Sequence, residues 1–288
     1  MQSITSRDGT SIGYTTVGEG PPLILVDGAF GSRAFGPNES LVALLADRFT
    51  VVTYDRRGRG ASNDLTGHGP GGVLREVDDL AALVDAVGGS AHLYGISSGA
   101  ALALEAATRG VPVTKLALFE APFIIDDSRP PVPDDYPARM KELLAADRRG
   151  KAVATFMSQG IGLNPAIVAL MRLMPAWSAM KGVAHTLPYD VDVTFDLQHG
   201  HPLPAARWSE LECPVMVVDG GKSPTWMRRA MTELASSLPK ATSVTLPGQT
   251  HLVKAAVLAP ELLGFFTAPT AAPPTGCPSS YDSQEEQQ

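Results

Sequence analysis

One pentapeptide constrains this chain more than any other feature: Gly95-Ile96-Ser97-Ser98-Gly99. A short apolar run, His92-Leu93-Tyr94, leads into it, and an alanine-rich helical segment from Ala100 to Thr108 leaves it. The pattern is strand, sharp turn, helix. In such a turn the flanking glycines make room for a crowded backbone, and the central serine is forced into strained dihedrals with its hydroxyl at the strand tip. Ser97 is therefore the candidate nucleophile.

The rest of the chain supplies the sheet that such a turn needs. Ile4 to Thr16 carries an Asp8-Gly9 turn between two short alternating runs and reads as an opening antiparallel hairpin. Leu23–Val26, Phe49–Tyr54, His92–Tyr94, Lys115–Phe119, Pro214–Val218 and Thr242–Leu246 are continuous apolar runs, the pattern of parallel strands covered on both faces. Helical stretches separate most of them. Val73, Val77, Leu80, Val84 and Val87 share one helical face, which predicts packing on the sheet with Glu76, Asp79 and Asp85 toward water. Strands alternating with helices give an α/β fold with a mostly parallel central sheet.

The alternation stops between Phe119 and Pro214. Pro122 to about Arg207 holds proline clusters, helix-like pieces such as Arg139 to Arg149, and an apolar set of Phe156, Met157, Met171, Met174, Trp177 and Met180. This reads as an inserted lid of short helices. Methionine suits irregular apolar surfaces, so the set either lines a pocket for a hydrophobic substrate or forms the lid's own small core, and the second reading is favoured. After Phe266 the chain offers almost nothing to bury, which predicts disorder.

Composition excludes several function classes. With 23 Lys and Arg against 30 Asp and Glu, the net charge of -7 argues against nucleic acid or an anionic membrane as partner. A small-molecule hydrophobic substrate is the expected partner, and the oligomeric state is left open. No apolar run reaches membrane-spanning length, and the first residues lack a signal-peptide pattern, so the expected location is cytoplasmic. Two cysteines, Cys213 before a core strand and Cys277 in the tail, do not suggest a structural disulfide. His199-Gly-His201 has no companion ligands at metal spacing, so neither a metal nor another cofactor is expected.

Three motifs in order resemble the α/β-hydrolase superfamily, from Ser3 to Phe266. They are the elbow around Ser97, the stretch Asp55-Arg56-Arg57-Gly58-Arg59-Gly60-Ala61-Ser62, and Pro247-Gly248-Gln249-Thr250-His251 after the last strand. The second is similar to the Asp-x-Arg-Gly-x-Gly-x-Ser segment of esterases and epoxide hydrolases, and is read as a structural turn. The resemblance implies an α/β-hydrolase core over 1-121 and 207-267, a helical cap over 122-206 and a disordered tail over 268-288. It also implies a triad in which Ser97 attacks, His251 takes the proton and a carboxylate orients His251.

The acid departs from the common family pattern. After Val215–Val218 the family usually has Gly-x-x-Asp, whereas this chain has Gly220-Gly221-Lys222-Ser223. Asp219 and Glu120, each at a strand tip, are the substitutes. Glu120 is favoured, because certain haloalkane dehalogenases take their acid from the end of that strand. The oxyanion hole is expected from the backbone amides of Ser98 and Ala29. Here Asp27-Gly28 replaces the family's His-Gly, and Asp27 is expected to meet Arg57 or local amides.

The leading expectation is a serine hydrolase of a small or medium hydrophobic carboxylic ester or lactone. A non-hydrolytic lyase or cyclase on the same fold, or a non-catalytic ligand-binding homologue, are the alternatives. Haloalkane dehalogenase and epoxide hydrolase chemistry is disfavoured, because both need an aspartate at the position of Ser97.

Overall fold

The computed structural model describes residues 1–65, 67–69 and 71–269. An antiparallel hairpin opens the chain: β1 (Gln2–Thr5) and β2 (Ser11–Val17), joined around Gly9 at φ 87°. β3 (Pro22–Val26), β4 (Thr50–Tyr54), β5 (Ala91–Ile96), β6 (Val113–Phe119), β7 (Val215–Gly220) and β8 (Ala241–Leu246) complete one sheet in the order β1-β2-β4-β3-β5-β6-β7-β8. β2 meets β4 antiparallel, and every pairing from β4 onward is parallel.

Successive strand residues face opposite sides of the sheet, and each side has its own helices. Ile24, Val52, Leu93, Leu118 and Val217 pack toward α2 (Gly72–Ala86), α3 (Ser98–Thr108) and α9 (Thr225–Ser237). Leu23, Leu25, Val51, Tyr94, Phe119 and Val218 pack toward α1 (Glu39–Leu45) and α10 (Ala255–Thr267). The one cation in the central runs, Lys115, is buried at the end of α10, where its ammonium donates to the carbonyls of Phe265, Phe266 and Ala268. It thereby caps carbonyls that have no partner within the helix.

Between β6 and β7 lie α4 (Tyr136–Ala145), α5 (Arg149–Thr155), α6 (Pro165–Met171), α7 (Ala176–Gly182) and α8 (Leu187–Thr194), with a π-helical turn at Phe156–Gly160. The helix expected over Arg139 to Arg149 is divided, because Asp147 takes φ 51° and reverses the chain between α4 and α5. Of the apolar set in this insertion, Phe156, Met157, Trp177 and Met180 are buried in a separate cluster, which also takes in Phe30, Trp226 and Met227 from the sheet domain. Met171 packs at its margin, while Met174 is exposed.

Two expectations need correction. Glu76 and Asp79 do not face water: they are 2% and 1% exposed, and only Asp85 of the three is on the surface. α2 runs beside the arginine-rich turn after β4, where Glu76 receives Arg56 at 2.7 and 2.6 Å and Asp79 receives Arg57 at 2.9 and 2.7 Å. Nor is β8 covered on both faces. It is the sheet edge, and Thr242, Ser243 and Thr245 are exposed.

Cys213 is a free thiol packed against the core, with burial pushing its pKa up to about 11. Cys277 and residues 270–288 of the expected disordered tail lie outside the described residues. Among the described residues, no helix is long and apolar enough to cross a membrane.

Candidate active site

β5 ends in the turn that carries Ser97, which has φ 58° and ψ -129°. A non-glycine residue there stores about 1–3 kcal/mol of strain, which persists because the surroundings fix it. A Cβ on Gly95 would stand 2.4 Å from the Gly99 carbonyl oxygen, and one on Gly99 would stand 2.3 Å from that of Val26. Both glycines are therefore required by close approach, and Ser97 lies at the mouth between β5 and α3. The Ser98 amide opens α3, where first-turn N–H groups have no intrahelical partner.

Glu120 follows β6 directly and is wholly buried, with φ 48°. Its Oε2 lies 2.7 Å from His251 Nδ1, and its Oε1 accepts the Gly220 amide at 2.7 Å. Nδ1 donates to this carboxylate, which leaves the His251 Nε2 lone pair free. His251 also stacks on Phe119, with ring centroids 6.2 Å apart. Asp219 turns the other way, accepting Arg228 Nε at 3.0 Å and Thr245 Oγ1 at 2.6 Å. Ser223, where the family aspartate usually stands, has a buried hydroxyl without a partner.

The loop after β3 packs directly on the elbow, since a Cβ on Gly28 would lie 2.9 Å from Ser97 Cβ. Asp27 in this loop does not meet Arg57, contrary to one expectation; Arg57 is occupied by Asp79 and Asp8. Asp27 is instead buried, with Oδ1 unpartnered, and burial pushes its carboxyl up to about 7. It is thus largely neutral below that pH, so no full negative charge stands beside Gly28 there.

Arg56 and Arg59 hold this loop from behind. Arg56 Nη1 donates to the Asp27 carbonyl at 3.3 Å, and Arg59 Nη1 donates to those of Gly28 at 2.7 Å and Gly31 at 3.2 Å. Both guanidiniums also meet one carboxylate, Asp190 of α8, at 2.6 Å each. Ser98 Oγ donates to the same carboxylate at 2.7 Å. Burial alone would raise the Asp190 carboxyl, but Arg56 and Arg59 outweigh it and hold it below the usual range.

Sequence reasoning missed Asp190, and it gave Arg56 and Arg59 no part in the site. The only available signal was the density of three arginines in four residues after β4.

A cavity over Ser97 is lined by Ser98, Tyr136, Phe156, Gly160, Asp190 and Gln198 among others. Of the apolar lid set, Phe156 alone lines it. His68, His185 and His199 are drawn to Asp192, the Gly58 carbonyl and Asp134 respectively, while His92 stacks on Phe266. Among the described residues, no group of three or more His, Cys, Asp or Glu could hold a metal ion.

A family model described as the alpha/beta hydrolase family matches residues 23–272. The chain is similar to an alpha/beta hydrolase from Sphaerobacter thermophilus DSM 20745, with 49% identity, 92% of this chain and 100% of that one covered, and a TM-score of 0.85. A thermophilic esterase from Thermogutta terrifontis shares the fold at 21% identity, with 92% and 97% covered and a TM-score of 0.69. The uncharacterized hydrolase YraK of Bacillus subtilis (strain 168) is 34% identical over 105 residues, 35% of this chain. That match spans only 37% of the relative's length.

Proposed function

The chain belongs to the alpha/beta hydrolase family, and on that premise we propose that it is a serine hydrolase cleaving a small or medium hydrophobic carboxylic ester or lactone. The observation that carries this reading is the 2.7 Å contact between Glu120 and His251 beside Phe119, whose ring stacks on His251 and whose carbonyl accepts the amide of Ser97 in its strained elbow at 2.9 Å. The named esterase among the similar structures agrees with it.

In this reading Ser97 Oγ bonds to the ester carbonyl carbon as its proton passes to His251 Nε2. Glu120 holds His251 in the tautomer that can accept that proton and stabilises the resulting imidazolium. The tetrahedral oxyanion faces the amides of Ser98 and Ala29, each such donor contributing about 3–4 kcal/mol to the transition state. The bond from carbon to the alcohol oxygen then breaks, and the alcohol leaves with the proton from His251. Water, deprotonated by His251, attacks the acyl-serine and releases the acid. The Arg56 and Arg59 contacts to loop carbonyls take over the buttressing that a family histidine usually supplies.

Intact-mass analysis after exposure to a fluorophosphonate tests the reading without knowledge of the substrate. The expected result is one adduct on the native protein, none on Ser97→Ala and slow formation on Glu120→Gln. Absence of an adduct on the native protein overturns it.

A further inference from the structure

The cavity over Ser97 contains a polar atom that neither the proposed triad nor the fold employs. Tyr136, at the start of α4, is 1% exposed, and its hydroxyl is buried without a hydrogen-bond partner. Few buried polar groups in folded proteins remain unpaired, and those that do call for a reason.

Gly160 supplies a second observation. It ends the π-helical turn and lines the same cavity as Tyr136. A Cβ there would stand 2.7 Å from the Tyr136 hydroxyl oxygen. The Gly160 backbone is outside the left-handed region, so the conformation does not demand glycine; the hydroxyl does. π-turns of this kind are frequent at functional positions. The absent side chain leaves the hydroxyl uncovered toward the cavity.

Apart from the hydroxyls of Ser97 and Tyr136, the polar side chains described on the wall are engaged. Gln198 Nε2 donates to the Pro122 carbonyl at 2.7 Å, Thr194 Oγ1 donates to the Asp190 carbonyl at 2.9 Å, and the Asp190 carboxylate takes Arg56, Arg59 and Ser98. Among the described residues, no lysine or arginine lines the cavity. An acidic group on the ligand would meet the Asp190 carboxylate with no cation on the wall to receive it, which favours a neutral one. The cavity is narrow, wide enough at its centre for about one water-sized group.

We propose that the substrate's acyl group is short and carries a neutral oxygen, a ketone or hydroxyl, that accepts a hydrogen bond from Tyr136. This makes Tyr136 a specificity-determining residue. The inference rests on the serine-hydrolase reading, which it deepens.

The test compares 4-nitrophenyl 4-oxopentanoate with 4-nitrophenyl pentanoate, two esters differing in one carbonyl, and adds the 4-nitrophenyl monoester of succinic acid as the charged arm. The native protein should prefer the oxo ester by about tenfold in kcat/KM, the scale of one well-placed hydrogen bond with its buried partner. Tyr136→Phe should bring that ratio close to one. Gly160→Ala, which keeps the hydroxyl but covers it, should do the same.

Equal rates on the two esters in the native protein, or a preference that survives in Tyr136→Phe, overturn the inference while leaving the hydrolase intact. A preference for the succinate monoester overturns the neutral acceptor. If no ester is hydrolysed in a Ser97-dependent way, the hydrolase reading fails. Calorimetric titration of 4-oxopentanoate and pentanoate into the Ser97→Ala protein then gives the same comparison as affinities, and equal affinities overturn the inference.

Discussion

Two carboxylates stand at the tips of neighbouring strands, and their partners separate their roles. Glu120 has one oxygen on His251 and the other on the Gly220 amide, whereas Asp219 spends both of its oxygens on Arg228 and Thr245. Glu120→Gln should therefore lower turnover by about 10³- to 10⁴-fold, the scale of a triad acid, and Asp219→Asn by less than about tenfold. Steady-state hydrolysis of an activated ester measures both, and the reverse order would move the role to Asp219. Asp27 makes a different prediction. Burial pushes its carboxyl up to about 7, Arg59 and Arg56 opposing and Asp55 reinforcing, whereas in the unfolded chain it titrates near 3.8. The folded state thus holds the proton more tightly, so the stability it contributes is full below about pH 4 and declines as pH rises to about 7. Asp27→Asn removes that decline. The melting temperature of the variant relative to the native protein should rise between pH 5 and pH 8, and a constant difference would show that Asp27 titrates normally. The elbow and the opening hairpin are legible in the sequence because short-range glycine chemistry dictates them. The state of Asp27 is not, because it depends on a solvent exclusion that only the packed loop creates.

At the scale of elements, α8 is tied to the elbow that carries Ser97 by one buried carboxylate. Asp190 meets Arg56 and Arg59, which hold the carbonyls of Asp27, Gly28 and Gly31, and it also meets Ser98 at the start of α3. The seating of α8 and the path of the loop after β3 are thus one arrangement. Removing the charge leaves the buried Arg59 guanidinium without a carboxylate, while Arg56 keeps Glu76, a loss of about 3–5 kcal/mol, and loosens the loop that carries Ala29, the proposed second oxyanion donor. Asp190→Asn should slow fluorophosphonate labelling of Ser97 by about 10²-fold, the effect of losing one oxyanion donor. Circular dichroism should stay native below the lowered melting temperature. Native labelling rates in the variant would reduce Asp190 to a structural role. This tie illustrates why part of the site is hidden in sequence. Asp190 lies 92 residues from Ser98 and 134 from Arg56 along the chain, so no local spacing links them. The burial of Glu76 and Asp79 is hidden for the same reason: helical periodicity marks them as polar positions, and only the fold brings Arg56 and Arg57 against them.

The whole molecule has a sheet with a core on each face and a third apolar cluster in the insertion between β6 and β7. The alternation of apolar runs makes the sheet readable, because each strand and helix satisfies its period locally. The insertion carries no such period, and its cluster closes only by borrowing Phe30, Trp226 and Met227 from the sheet domain. Stability is therefore expected to be divided, with the insertion opening at lower free energy than the central strands. Trp177 tests this division. It is 7% exposed and belongs to the third cluster, remote from the strands. Truncation to alanine should cost about 3–5 kcal/mol in that cluster. Hydrogen exchange in Trp177→Ala should then accelerate across α4 to α8, while amides of β3, β5 and β6 keep native protection. Labelling of Ser97 should slow as well, because opening of α8 withdraws Asp190 from Arg59. Equal acceleration in insertion and sheet would mean that the two parts unfold as one unit. Fast exchange in the insertion with undiminished labelling would mean that the loop after β3 keeps its shape without α8.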